Sequence, residues 1–99
     1  MALVDTAVYF DYSIKMIQLR PSDKLFDIEN TLKNDLEVDM NVHHIQFFDN
    51  RVGKYVNLDE NYFNGANELL LWSKNAIIEL QVVSQQEQQQ QQQGIDIIF

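Results

Sequence analysis

The chain has no cysteine, one proline, three glycines and only seven basic residues among its 99 positions. Without cysteine it has neither disulfides nor thiolate metal sites, and this composition fits a reducing compartment. The glycines lie far apart, so there is no glycine-rich phosphate-binding loop. No apolar run approaches the roughly 20 residues that a membrane-spanning helix needs. We expect one small soluble domain that does not bind nucleotides.

The charge is acidic overall but unevenly distributed. Fifteen acidic residues against seven basic ones give a formal net charge of -8. Nucleic acids and anionic membranes require clustered basic residues, so we expect neither as a direct partner. Four of the seven basic residues nevertheless lie within residues 12–33, namely Lys15, Arg20, Lys24 and Lys33. This segment is either an ordinary charged surface or a docking site for an acidic partner.

Residues 15–36 predict a strand, a stop and an amphipathic helix in direct succession. Ile17 and Leu19 share one face of the extended part, and Pro21 ends it because proline has no N–H to donate. Ser22 or Asp23 is the expected helix cap. The helix then places apolar residues at spacings of three, four and four on one stripe, namely Leu25, Ile28, Leu32 and Leu36.

The remaining segments predict a sheet around this helix. A strand at residues 7–10 forms a hairpin with residues 14–19, and further strands are predicted at residues 45–48, 54–58 and 68–72. The order β-β-α-β-β-β describes an α+β fold with a mixed sheet packed on one helix, which resembles the ubiquitin-like β-grasp. The predicted core contains Val8, Phe10, Ile17, Leu19, Leu25, Ile28, Leu32, Leu36, Ile45, Phe47, Leu69 and Leu71.

The C-terminal part differs in composition. Residues 85–93 are almost pure glutamine, which cannot bury enough apolar surface to order itself, and apolar segments lie on both sides of this tract. We therefore divide the chain into a ubiquitin-like domain at residues 1–75 and a second part at residues 76–99. The second part is a linker or the first strands of a following module, with strands predicted at residues 76–83 and 95–99.

No constellation of catalytic or metal-binding residues is apparent. His43 and His44 are adjacent, and neighbouring residues of a strand point to opposite faces, which is poor geometry for shared ligation or a catalytic dyad. No serine lies in a nucleophile-elbow context, and the carboxylates follow surface and turn positions. We expect a non-enzymatic protein with no cofactor and no metal.

The string KMIQLRPS at residues 15–22, with Asp27 in the helix, resembles the N-terminal ubiquitin-like subdomain that precedes the FERM part of the talin head. The resemblance extends over roughly residues 4–83. It implies a cytoplasmic cytoskeletal adhesion adaptor, at the cytoskeleton or the inner face of the plasma membrane. It also implies that the following module is an adjacent FERM-type subdomain, and it implies actin binding by the parent protein and membrane contact only through partners or the parent.

The same resemblance implies a partner and a site. In talins this subdomain is similar to Ras-association domains and binds a GTP-loaded Rap-type small GTPase through the second strand and the first helix. Lys15 matches the family's key basic residue, whereas Asp35 stands where the family has a second contacting arginine. The expected GTPase-binding residues are Lys15, Ile17 and Gln18 of the matched string, together with Arg20, Lys24 and Lys33, which are candidates from their charge and position.

Other classes of protein fit the same fold. A structural spacer would pack on the next FERM subdomain without binding a GTPase, and Asp35 favours that alternative. A conjugated ubiquitin-like modifier needs a C-terminal Gly-Gly pair, whereas this sequence ends Ile-Ile-Phe. An acidic or basic oligomerising β-grasp of the PB1 type needs a dense acidic cluster, which is missing after Phe48.

Overall fold

A computed structural model describes residues 2–60 and 63–85 of the chain. In chain order the elements are β1 (Val4–Phe10), β2 (Ser13–Leu19), α1 (Leu25–Leu36), β3 (His43–Asp49), β4 (Lys54–Asn57), α2 (Ala66–Leu71) and β5 (Ile78–Ser84). The strands form a sheet with the order β2-β1-β5-β3-β4. Strand β1 is antiparallel to β2 and parallel to β5, whereas β3 is antiparallel to both β4 and β5. The predicted α+β class, a mixed sheet packed on a helix in the manner of a β-grasp, is confirmed.

The core lies between one face of the sheet and helix α1. Alternate residues of the strands point into it, because side chains of a strand alternate between faces. Helix α1 contributes Ile28 and Leu32, which are both fully buried. Most of the predicted core is confirmed, with Phe10, Leu25 and Leu36 only partly buried at its margin. The buried apolar residues that the sequence analysis did not predict are Val4, Ala7, Val38, Leu58, Phe63, Ala66, Ile78, Leu80 and Val82.

The strand predicted at residues 68–72 is wrong. This segment belongs to the short helix α2, which ends at Leu71. A helix places Ala66 and Leu69 on its inner side, where they are 0% and 1% exposed. Leu71, a predicted core residue, instead points outward and is 81% exposed. The apolar run is therefore amphipathic with a helical period and has only one buried face.

The position of β5 corrects the predicted domain boundary. The sequence assigns residues 76–83 to a linker or a following module, but Ile78–Ser84 is the central strand of this sheet. It pairs with β1 on one side and β3 on the other, and Ile78, Leu80 and Val82 are buried in the core. The domain therefore extends at least to residue 84. Residues 86–99, which contain most of the glutamine tract and the predicted strand at 95–99, lie outside the described residues.

The predicted cap of α1 also needs correction. The N-cap residue is Lys24, rather than Ser22 or Asp23. The Asp27 carboxylate accepts a hydrogen bond from the Lys24 backbone N–H at 3.0 Å, and Asp23 accepts one from the Arg20 N–H at 2.9 Å. The two carboxylates thus order the turn between β2 and α1. Gly65 packs against this turn so closely that a Cβ there would lie 2.6 Å from the Pro21 carbonyl oxygen.

A polar cluster joins the β3–β4 turn to the end of α2. Asp49 is buried and forms an ion pair with Arg51 at 2.7 Å. Hydrogen bonding from the Arg51 side chain holds the pKa of Asp49 below its ordinary value. The guanidinium carbon lies 3.7 Å from the centroid of the Trp72 ring, which itself stacks on Phe47. A buried carboxylate needs such a partner, so this pair fixes the turn against the core.

Two leucines provide a test of the corrected boundary and the corrected helix. We expect Leu80→Ala to lower the free energy of unfolding by about 2 to 5 kcal/mol, because Leu80 is fully buried in the central strand. Leu71→Ala makes the same chemical change at an exposed site and should change it by less than about 0.5 kcal/mol. Urea unfolding of both variants measures the difference. Equal stabilities of the two variants would contradict the placement of β5.

Candidate functional site at the edge of strand β2

Among the residues that the structure describes, strand β2 forms one edge of the sheet and has only β1 as a neighbour. The two strands are joined by the turn residues Asp11 and Tyr12, whose φ angles are 52° and 61°. Two positive φ angles define a type I′ hairpin, in which the closing pair exchanges both backbone hydrogen bonds. That closing pair is Phe10 and Ser13. The turn therefore sets which backbone groups of β2 are used internally and which face outward.

Counting from the closing pair, Ser13, Lys15, Ile17 and Leu19 direct their backbone groups toward β1. Ile14, Met16 and Gln18 direct their N–H and C=O groups away from the sheet. An edge of this kind is open to a further strand. Side chains follow the same alternation, so Lys15, Ile17 and Leu19 share the helix side of the sheet and Ile14, Met16 and Gln18 share the opposite side.

A groove separates the helix side of β2 from α1, and we call it the β2–α1 groove. Its charged and polar lining includes Lys15, Arg20, Asp23, Asp27, Thr31 and Asp35, and the groove extends around the open edge of β2 to Met16 and Gln18. Lys15 lies opposite Val8, beyond the buried part of the core, and is exposed. Among the described residues, neither Lys15 nor Arg20 forms a side-chain hydrogen bond or an ion pair. These two cations are therefore available to a partner.

Three carboxylates lie on the α1 side of the groove, and they are not equivalent. Asp23 and Asp27 accept hydrogen bonds from backbone N–H groups in the turn before α1. Asp35 lies in the last turn of α1, and in the part of the chain that the structure describes its carboxylate has no hydrogen-bonding partner. Asp35 also lines the depression that continues from Lys15 toward Phe10 and Glu37. Of the three, Asp35 is the carboxylate available to a partner.

The structure brings together some of the predicted site residues and separates others. Lys15 and Arg20 line the same groove. Lys24 is exposed at the start of α1, and Lys33 lines a different depression, between α1 and residues 38–41. The basic residues therefore do not form one continuous patch.

The side chains of Ile17 and Gln18, unlike those of Lys15 and Arg20, are already used in contacts within the domain. The Ile17 side chain is only 7% exposed and belongs to the core, and its backbone groups pair with β1. Gln18 lies on the opposite side of the sheet, where its amide donates a hydrogen bond to the Asp5 carboxylate at 3.2 Å. Its outward backbone groups remain open to a further strand.

Sequence reasoning missed two residues of this edge. Ile14 and Met16 are 59% and 58% exposed, although both are apolar and lie in a strand. Their exposure could have been predicted from the sequence, because they occupy the strand positions that alternate with the inward Ile17 and Leu19. They form a short apolar row beside the open backbone groups.

The described residues contain no cluster of three or more side chains suited to a metal ion. Within the same ranges, no helix is long and apolar enough to cross a membrane. The chain matches no family model, and no curated protein is similar to it. Apart from the resemblance of residues 15–22, a functional assignment therefore depends on the geometry of the β2 edge and on the residues that line it.

The alternation of backbone groups in β2 can be measured directly. We expect the amide protons of Ile14, Met16 and Gln18 to exchange quickly with solvent, because they face outward. Those of Lys15, Ile17 and Leu19 should be protected by their bonds to β1. Residue-resolved hydrogen exchange by NMR makes the comparison within one strand. Uniform protection along residues 14–18 would show that the edge is already covered.

Proposed function

We propose that this domain is a non-enzymatic interaction module of a talin-like cytoskeletal adhesion adaptor. Its partner is a GTP-loaded small GTPase of the Rap or Ras type, which adds a strand to the β2 edge. The observation that supports this most is that, within the described ranges, the β2 edge strand is open and the Lys15 side chain beside it is unpaired. The proposal takes the kind of partner from the resemblance of residues 15–22 to the talin subdomain.

Sheet extension would supply main-chain hydrogen bonds, and charge would supply orientation. The outward groups of Ile14, Met16 and Gln18 would pair with an extended segment of the GTPase. Lys15 and Arg20 would meet carboxylates of that segment in the β2–α1 groove. An exposed ion pair contributes only about 0 to 1 kcal/mol, so we expect micromolar or weaker affinity. Other modules of the parent protein would then add avidity at the membrane.

The net charge of -8 opposes an acidic partner at long range. Screening limits this opposition to about 8 Å at physiological ionic strength, so the local groove decides the contact. The parent adaptor would act at the cytoskeleton or at the inner face of the plasma membrane. Contact with the membrane would be indirect, through the GTPase or through an adjacent FERM-type subdomain.

Reversal of the charge at Lys15 tests this function. We expect the labelled domain to show NMR shifts along residues 13–20 with a Rap-type GTPase that holds a nonhydrolysable GTP analogue, and not with the GDP form. Lys15→Glu should weaken this binding about tenfold or more, because it replaces an attraction with a repulsion. The measurement is the dissociation constant from the titration.

Lys54→Glu is the matched control for that experiment. Lys54 is exposed at the start of β4, the opposite edge of the sheet, and its reversal changes the net charge equally. It should leave the affinity nearly unchanged. Equal losses of affinity in both variants would show that the effect comes from net charge alone. An absence of GTP-dependent shifts in the wild-type domain would refute the proposed partner.

Asp35 supports a second candidate, a structural spacer that packs on the next FERM-type subdomain without binding a GTPase. Among the described residues its carboxylate is unpartnered, and it lies in the same groove as Lys15, where it would repel an acidic strand. The two cations of the groove face the three carboxylates of its α1 side, which makes the groove a weak attractor for acidic segments. The first candidate function requires that the GTPase contacts this groove, whereas the spacer function does not.

Substitution of Asp35 separates the two candidates. If the GTPase strand that pairs with β2 places its carboxylates in the groove, Asp35→Arg should strengthen GTPase binding about tenfold. Asp35→Asn should strengthen it by a smaller factor. The control is Glu60→Arg, which makes the same change of net charge at an exposed position outside the groove. The same titration measures all three variants. No gain of Asp35→Arg over Glu60→Arg would favour the spacer.

A further inference from the structure

The outer side of β2 has an apolar row that the proposed function does not use. Ile14 and Met16 are each more than half exposed and lie two residues apart on the side of the sheet away from α1. The same two residues direct their backbone N–H and C=O groups outward. A strand that pairs with this edge would therefore bring its own side chains directly beside theirs, about 5 Å away between Cβ atoms.

Lys15 lies between these two residues in the strand, so its side chain points to the other side of the sheet, where it lines the β2–α1 groove. The edge thus presents an apolar side chain, a cation and an apolar side chain in succession, with the cation on the opposite face. A pairing strand follows the same alternation. Its residues beside Ile14 and Met16 would share one face, and the residue between them would lie next to Lys15.

We propose that the β2 edge selects an extended partner segment in which an acidic residue lies between two apolar residues. Ile14 and Met16 would be specificity-determining residues, and Lys15 would form an ion pair with the central carboxylate of the partner segment. This inference rests on the proposed function for the use of the edge, and it adds the side-chain pattern that the edge accepts. The apolar row provides most of the discrimination, because an exposed ion pair is weak and apolar burial is not screened by salt.

The composition of β2 argues against pairing between the β2 edges of two copies of this chain. The segment Ser13–Leu19 contains no aspartate or glutamate, so a second β2 strand would bring no carboxylate to Lys15. Two copies would also each have a net charge of -8. A different protein with an apolar-acidic-apolar segment therefore fits the edge better than a second β2 strand does.

Removal of the apolar row tests this pattern. We expect the double variant Ile14→Thr/Met16→Thr to weaken binding of the GTP-loaded GTPase about tenfold or more, because threonine keeps the strand preference but loses most of the apolar area. Val52→Thr is the control, since Val52 is 56% exposed in the β3–β4 turn, far from this edge. Its affinity should equal that of the wild-type domain.

The outcomes for the GTPase separate the two proposals. Loss of binding in Lys15→Glu together with normal binding in the threonine double variant would overturn the side-chain pattern and leave the GTPase function intact. Loss in both variants, with normal binding of Val52→Thr, supports both proposals. Chemical shifts of residues 14–18 that change on dilution of the domain alone would show a second copy at the edge and would overturn the inference.

A peptide titration tests the pattern without the GTPase. The probe is a short soluble peptide in which a glutamate lies between two isoleucines. Matched peptides have lysine in place of the glutamate, or serine in place of both isoleucines. Shifts at residues 14–18 with the first peptide only would support the pattern even if the GTPase does not bind. Equal shifts with all three peptides, or with none, would overturn it.

Discussion

The position of β5 in the middle of the sheet is the constraint on which the rest of the structure depends. Its backbone joins β1 to β3, and these two strands have no pairing with each other. Its inward residues Ile78, Leu80 and Val82 complete the surface on which α1 packs. Because β5 occupies the place next to β1, the β1–β2 hairpin can extend the sheet only outward. Strand β2 therefore becomes an edge, and its open backbone groups are a consequence of that position.

The sequence predicted the parts of the fold in which local signals agree. The stretch at residues 15–36 combines alternation, a proline stop and a helical stripe, and both β2 and α1 form there. The prediction failed at residues 68–72, because a short apolar run has too few positions to separate a helix from a buried strand. It also failed at residues 76–83, which it assigned to a linker or to a following module. A glutamine tract nearby suggested a boundary, but strand pairing with β1 and β3 is a long-range property that composition does not encode.

The sequence predicted which segment contains the candidate site, but it did not predict which side chains of that segment lie together. Lys15 and Arg20 were expected to act together, and both line the β2–α1 groove. Lys33 is close to them in sequence, yet its position on α1 places it in a different depression. Residues of a helix share a face only at spacings of three or four. The number of basic residues in a segment therefore overestimates the size of the basic patch on the surface. Ile17 entered the predicted site through a motif, although its inward parity makes it a core residue.

The hairpin turn links the sequence to the chemistry of the edge. Asp11 and Tyr12 both adopt positive φ angles, which costs a non-glycine residue roughly 1 kcal/mol or more. The resulting two-residue turn fixes the register of β2 against β1, and a shift of one residue would exchange the two sides of the strand. In the observed register Lys15 faces the groove while Ile14 and Met16 face outward with open backbone groups. A shifted register would expose Ile17 and Leu19 to solvent, so the packing of the core maintains this arrangement of side chains and backbone groups at the edge.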